Sequence, residues 1–128
     1  MASKICLKCV LVAAGLAAAG PACKSSTTSP SPATSSATIT ITSSGVSPKS
    51  VTVSPGSQVT FTNSDSRQHE MASDPHPEHT DCPAINSVGT LSPGQSRSTG
   101  NLNVTRTCGF HDHLRSEDQS LRGTITIQ

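Results

Sequence analysis

Large aromatic side chains are nearly absent from this sequence. Its 128 residues include no Trp, no Tyr and only two Phe, Phe61 and Phe110. A folded core must therefore be built mainly from Val, Ile and Leu, and a small domain of that composition is marginal on burial alone. A disulfide or a bound metal ion is the usual supplement in such a domain.

Charge is also scarce and is nearly balanced. Charged residues make up 13% of the chain, and the formal net charge is +1. Within residues 38–128, six Lys and Arg against eight Asp and Glu give a formal charge of −2. Because no basic patch is present, we expect no nucleic-acid partner. No pairing of a nucleophile with a base is apparent either, so we expect the protein not to be an enzyme.

The chain has no apolar run long enough to span a membrane. The apolar run at residues 10–19 is about half of the roughly 20 residues that a spanning helix needs. Lysines precede the run and Gly-Pro-Ala-Cys follows it, an order typical of an export signal, which we place at residues 1–22. We therefore predict an exported protein, in a periplasm or cell envelope.

Cys23 opens a stretch rich in Ser, Thr and Pro. A cysteine after a small residue and before such a tether resembles the processing site of a bacterial lipoprotein, which implies a possible lipid anchor at Cys23; plain secretion is the alternative. Residues 23–37 have no apolar face to bury and are predicted to be a solvated linker. Residues 38–128 are then a single domain, expected to be monomeric.

Apolar residues alternate with polar ones along much of this domain. The pattern is clearest in residues 37–42, 50–54 and 58–63, with weaker candidates at 69–73, 96–104, 106–110 and 123–128. No window has a sustained helical period, so we predict an all-β, antiparallel Greek-key sandwich. The polar stretch 74–89 is predicted to be a functional loop, because loops of that length are uncommon in small domains.

Several motifs resemble the cupredoxin family of small copper proteins, which includes plastocyanins and azurins. "GVSPKSVTVSPGSQVTFTNSDSRQHEM" is similar to the family's entry strands and first copper histidine, "LSPGQS" to its Leu-x-Pro-Gly turn, and "CGFH" to its Cys-x-x-His ligand pair. The resemblance implies a type 1 copper site formed by His69, Cys108 and His111, and electron transfer to a redox partner protein. Two imidazoles and a soft thiolate suit copper in both oxidation states.

The axial position departs from the family pattern. Where an axial Met is usual this chain has Leu121, which cannot coordinate a metal, and the spacing from His111 is longer than usual. The site would then lack an axial ligand, or the loop "DHLRSEDQS" would supply one from His113, Glu117 or Asp118.

All five histidines lie in two segments, and "HPEHTDC" places His76, His79 and Cys82 at three-residue intervals. These three residues are either polar loop residues or secondary ligands for copper or zinc. A copper chaperone that exchanges metal with a donor or acceptor is therefore a further hypothesis.

Cys82 and Cys108 are the only cysteines in residues 38–128. In an exported compartment two such cysteines are first suspected of forming a disulfide. A disulfide would remove the thiolate and leave a histidine-only, type 2 site for copper or zinc. The sequence leaves both alternatives open.

Overall fold

The structure is a computed structural model that describes residues 36–128. The export signal, Cys23 and nearly all of the linker lie outside the described residues and remain predictions. The described part contains short 3-10 helices at Pro83–Ser87, His113–Arg115 and Gln119–Leu121. Its strands are β1 Ala37–Thr42, β2 Gly45–Ser47, β3 Ser50–Val53, β4 Val59–Asn63, β5 His69–Ser73, β6 Gly89–Leu91, β7 Ser96–Ser98, β8 Arg106–Asp112 and β9 Gly123–Ile127.

The strands form two sheets. One has the order β2-β1-β4-β7 and the other has the order β3-β9-β8-β5-β6. The predicted all-β sandwich is confirmed, and most neighbouring strands are antiparallel. The pairs β1/β4 and β3/β9 are parallel, and each joins strands that are not consecutive in the chain.

Alternation along the strands decides which side chains enter the core. Ile39 and Ile41 on β1 are fully buried, whereas the threonines between and beside them are more exposed. The two phenylalanines meet between the sheets, with Phe61 and Phe110 in an edge-to-face contact whose ring centroids lie 5.1 Å apart. Such a pair adds about 0.5–1.5 kcal/mol beyond its buried area. The core of the sandwich is mainly aliphatic with two aromatic residues, as the sequence predicts.

Some element boundaries differ from the sequence prediction. The strand expected at residues 96–104 ends at Ser98 as β7, and the residues that follow include Gly100, Asn101 and Asn103, which favour turns. Strand β8 instead continues two residues beyond the prediction, to Asp112. Residues 36–128 contain no helix long and apolar enough to cross a membrane.

The register between β5 and β8 sorts their side chains onto two faces. Met71 is paired with Asp112, and Ala72 is paired with His111. Since paired residues project to the same side and neighbours along a strand project to opposite sides, Met71 and Asp112 face the interior. His111 therefore lies on the outer face of this sheet, where the polar loop from Asp74 to Cys82 follows β5.

A disulfide joins Cys82 to Cys108, with Cα atoms 5.8 Å apart. Cys82 ends the polar loop, and Cys108 lies in the middle of β8. The bond therefore ties the loop covalently to the strand that carries His111. Both cysteines are buried and belong to the hydrophobic core.

Replacing Cys82 and Cys108 together with Ser should lower the free energy of unfolding. For cysteines 26 residues apart, the loss of loop-closure entropy from the unfolded chain predicts a decrease of about 3–4 kcal/mol. Denaturant unfolding of the wild type and the double variant measures this difference. Peptide mapping without reductant should recover both cysteines in one linked fragment, and recovery of two free thiols would contradict the disulfide.

Candidate metal centre

The structure does not assemble the ligand set His69, Cys108 and His111. The Cys108 sulfur is bonded to Cys82, so it is not available as a thiolate, and the prediction that Cys108 is a copper ligand is corrected by this bond. Cys82 is removed as a secondary candidate for the same reason. Strand geometry also separates Cys108 from His111. The two residues are three apart on the continuous strand β8, and an odd separation projects their side chains to opposite faces.

His69 lies on the interior side and already has a partner at each ring nitrogen. Its Nδ1 is 2.9 Å from Asp112 Oδ2, and its Nε2 is 3.1 Å from Asp65 Oδ2. The ring is fully buried. His69 therefore offers no free nitrogen to a metal ion in this arrangement, and it faces away from His111.

Four other histidines do come together. One nitrogen each from His76, His79, His111 and His113 lies within 4.8 Å of the other three, and we call this set the four-histidine cluster. It is the one such group of metal-ligating side chains among residues 36–128. Ring centroids of neighbours in the cluster are 4.8 to 5.6 Å apart. The secondary candidates His76, His79 and His113 are thus placed beside His111, and His69 is not.

Backbone hydrogen bonds shape the loop that carries His76 and His79. Asp74 N–H donates to Gly109 O over 3.0 Å, which holds the start of the loop against β8. Asp81 N–H donates to Asp74 O over 2.9 Å and closes the loop. Asp81 also accepts from Arg106 over 2.7 Å, and this ion pair lies beside the disulfide at Cys82. Both ends of the loop are therefore fixed to β8.

His79 has an unusual backbone conformation within this loop. Its φ is +54°, in the left-handed region, where a non-glycine residue costs about 1–3 kcal/mol. Its N–H donates to Pro75 O over 2.7 Å, and its carbonyl accepts from the Asn86 side chain over 2.9 Å. These bonds hold the strained residue in place and turn its side chain toward the cluster.

His111 is oriented by a carboxylate. Its Nδ1 is 2.6 Å from Asp74 Oδ1, and its Nε2 is buried without a hydrogen-bond partner. Because Asp74 accepts the proton on Nδ1, the lone pair of the neutral ring is on Nε2. A carboxylate behind a histidine is the usual outer partner of a metal ligand, since it fixes the tautomer and raises ligand basicity.

The remaining two members of the cluster contact each other. His113 Nδ1 lies 3.2 Å from His79 Nε2. Burial lowers the pKa of His79, the neighbouring imidazoles of His113, His111 and His76 lower it further, and Glu70 acts weakly in the opposite direction. The cluster therefore favours a neutral His79, which is the form that binds metal.

The donor set fits a metal ion that accepts imidazole ligands. Metal–nitrogen bonds of about 2.0–2.1 Å place bound nitrogens roughly 3–4 Å apart, so a cluster already within 4.8 Å needs only a small contraction. The buried Nε2 of His111 has no hydrogen-bond partner and would be satisfied by such an ion. A type 1 site does not fit, because it requires a thiolate that the disulfide removes.

The other candidates in the "DHLRSEDQS" loop are used structurally. Asp118 caps the 3-10 helix at Gln119–Leu121 by accepting from Ser120 N–H, and Leu121 is buried in the hydrophobic core. Glu117 is exposed and is not part of the cluster. Neither carboxylate is brought to the four-histidine cluster, and of the three residues predicted as a replacement axial ligand only His113 lies there.

Sequence reasoning missed three aspartates that orient the histidines. Asp74 supports His111, and Asp65 and Asp112 enclose His69. Asp74 directly follows a strand and precedes His76 by two residues, and Asp112 stands between two histidines. An aspartate so close to histidines in the sequence could have indicated a carboxylate that hydrogen-bonds to a metal-binding histidine. Which aspartate contacts which histidine, however, depends on the tertiary fold.

No protein-family model matches the chain, and no curated protein matches it. Solved structures do. Reduced auracyanin from Roseiflexus castenholzii superposes with a TM-score of 0.55 at 21% identity, over 73% of this chain and 96% of auracyanin. The purple cupredoxin from Nitrosopumilus maritimus gives 0.56 at 19% identity, over 72% of this chain and 99% of the other.

The chain has the cupredoxin fold. Oxidised plastocyanin from the fern Dryopteris crassirhizoma agrees, with a TM-score of 0.55 at 21% identity over 71% of this chain and 99% of plastocyanin. The family resemblance is thereby confirmed for the fold. Within this cupredoxin fold, two residues at the expected ligand positions, His69 and Cys108, are engaged with aspartates and with a second cysteine.

Asp65 makes the free energy of unfolding depend on pH in the acid range. Burial alone would raise the pKa of Asp65, but hydrogen bonds from Arg67, His69 and Ser66 outweigh it and lower the pKa from 3.8 to about 2. A carboxyl group whose pKa is lower in the folded state stabilises that state above pH 3.8, and the contribution is lost as the pH falls toward 2.

Asp65→Asn should therefore be less stable than the wild type at neutral pH, and the gap should narrow between pH 4 and pH 2. Denaturant unfolding of both proteins at several pH values measures the gap. Glu117→Gln is the control, because Glu117 is an exposed carboxyl group that makes none of these hydrogen bonds. A gap that stays constant or widens toward pH 2 would contradict the assignment.

Proposed function

We propose that this protein is an exported copper-binding protein that holds one copper ion through His76, His79, His111 and His113. The observation that carries the proposal is the buried Nε2 of His111, which lacks a partner and belongs to a cluster of three further imidazoles. Bound copper would supply a one-electron redox centre with nitrogen ligands only. The Cys82–Cys108 disulfide supports an oxidising compartment.

Copper is preferred over zinc by two arguments. A site made of nitrogen ligands binds Cu²⁺ more tightly than the other divalent first-row metals, including Zn²⁺. The chain also has a fold shared with copper proteins, since one amicyanin structure of similar fold is described as Cu(I). The side chains alone do not exclude Zn²⁺, so zinc is a competitor in the experiment below.

The graded exposure of the cluster supports exchange of copper with a partner protein. His111 is buried and braced by Asp74, His79 and His113 are half-buried, and His76 is exposed. A ligand from a donor or acceptor can therefore replace His76 first while His111 stays in place. This arrangement favours copper delivery by a monomer, with the linker and a lipid at Cys23 as its proposed tether to a membrane.

Electron transfer is the second candidate function. It is favoured by the fold, because plastocyanin, auracyanin and amicyanin are among the structures that superpose on this chain. Four imidazoles without a thiolate differ from the type 1 set that the resemblance implied. An electron carrier of this kind would act with a redox partner protein and would keep its copper.

The purified protein should bind one Cu(II) per chain with no intense thiolate-to-copper absorption in the visible region. His111→Ala should weaken binding by at least about 100-fold, because loss of a ligand exceeds the usual outer-partner effect. Asp74→Asn should weaken it by about 10–100-fold, since the carboxylate only orients His111. Competition titration with a chelator of known affinity measures the constants, and Zn(II) competition measures selectivity.

Glu78→Gln is the matched control. Glu78 is an exposed residue between the two histidines of the same loop and is not part of the cluster. The copper affinity of the Glu78→Gln variant should therefore equal that of the wild type. A strongly coloured copper complex, or an unchanged affinity in His111→Ala, would overturn the proposal.

The two roles differ in whether copper leaves the protein. For delivery, mixing the copper-loaded protein with a copper-free acceptor peptide of His and Met residues should move the copper to the peptide, and His76→Ala should speed the transfer because one ligand is already missing. Fluorescence of a copper-quenched acceptor measures the rate. Retention of copper through repeated oxidation and reduction, with no transfer, would favour electron transfer instead.

A further inference from the structure

We infer that His69, the histidine left outside the cluster, is a positioning residue that acts on the metal centre through its hydrogen bond to Asp112. The inference rests on the proposed function, because it concerns how the chain sets the positions of two of the four ligands. It assigns His69 to the support of the centre and not to the binding of copper.

The hydrogen-bond partners of His69 connect it to two separate carboxyl groups. The partners are Asp112 at Nδ1 and Asp65 at Nε2. The ring is fully buried between the two sheets, and it bridges the two carboxyl groups.

Both carboxyl groups have further hydrogen-bond partners. Asp65 also accepts from Arg67 over 2.8 Å and from Ser66 N–H over 2.7 Å. Asp112 also accepts from Arg115 over 3.2 Å. Because buried polar groups are costly when unpaired, His69 and the two aspartates depend on one another.

Asp112 is the link between His69 and the metal centre, because it stands directly between His111 and His113. One carboxylate oxygen accepts from Leu114 N–H over 3.1 Å, which caps the 3-10 helix that begins at His113. The same oxygen accepts from Glu70 N–H over 3.0 Å, which ties the turn to β5. The turn that returns His113 to the side of His111 is therefore held by this carboxylate.

His69 is the better protected of the two side chains at Asp112 Oδ2. The Arg115 side chain is 31% exposed, whereas the His69 side chain is 0% exposed. Solvent screens the Arg115 pair, so the buried hydrogen bond to His69 is the stronger side-chain restraint on this oxygen. Without it, the spacing of His111 and His113 should become less well defined.

Two substitutions separate the two hydrogen bonds of His69. The side-chain amide of His69→Asn lies where Nδ1 was and can still donate to Asp112, whereas the amide of His69→Gln lies where Nε2 was and can donate only to Asp65. Both variants remove the imidazole ring from the core, so a merely structural role predicts equal effects on copper affinity.

We expect His69→Gln to weaken Cu(II) binding by about 10–100-fold and His69→Asn to weaken it by less than about threefold, below the usual range for loss of an outer partner. Chelator competition gives the constants. The electron paramagnetic resonance spectrum of Cu(II) should retain the same number of coordinated nitrogens in both variants. Equal losses in the two variants, or loss of one nitrogen, would overturn the inference.

A measurement on the wild type covers the case in which a variant fails to fold. In long-range ¹H–¹⁵N spectra, the His69 ring should carry a proton on Nδ1, the nitrogen 2.9 Å from Asp112, in the metal-free and the Zn(II)-loaded protein. An Nδ1 without a proton in either state would overturn the inference. Failure of the wild type to bind any metal would instead refute the proposed function and would leave the metal-free spectrum as the test of the His69–Asp112 hydrogen bond.

Discussion

The four-histidine cluster depends first on the covalent bond between Cys82 and Cys108. Half of the cluster comes from the loop after β5, and the other half comes from β8 and the turn that follows it. A loop of this length would lose substantial conformational entropy on ordering. The last residue of the loop, Cys82, is bonded to Cys108 on β8. Cys82 lies three residues after His79, and Cys108 lies three residues before His111. Most of the conformational entropy of the loop is therefore lost when the fold and the disulfide form, before any ligand binds.

The register of β5 and β8 then divides the histidines between two environments. His111 projects outward beneath the loop, with Asp74 behind it, and His69 projects inward between Asp65 and Asp112. The interior face therefore contains a histidine with a partner at both ring nitrogens, and the outer face contains the unpartnered Nε2 of His111. A single strand, β8, connects the two environments, because Asp112 lies next to His111 on it.

The sequence predicted the sandwich well and the site only in part. Alternation of β-branched and polar residues is a local signal, and β1, β4 and β5 begin and end within one residue of their predicted positions. The Cys-x-x-His spacing of Cys108 and His111 is also local, but it does not reveal whether the strand continues through both residues. Because β8 does continue, the two side chains face opposite ways.

The remaining features depend on contacts that are distant in the sequence. The partnership of Cys82 with Cys108 was one of two open alternatives, and only the fold brings the two residues within bonding reach. Asp74 and Asp65 could not be paired with His111 and His69 from spacing, since each pairing spans a strand or a turn whose register the sequence leaves open. The concentration of histidines in two segments was the sequence feature that pointed to the four-histidine cluster.

The most direct test of the central claim is X-ray absorption spectroscopy at the copper edge of the copper-loaded protein. The account predicts a first coordination shell of imidazole nitrogens from the four-histidine cluster, with no sulfur. A sulfur atom in that shell would show that Cys108 binds copper and would contradict both the histidine-only site and the role assigned to the disulfide.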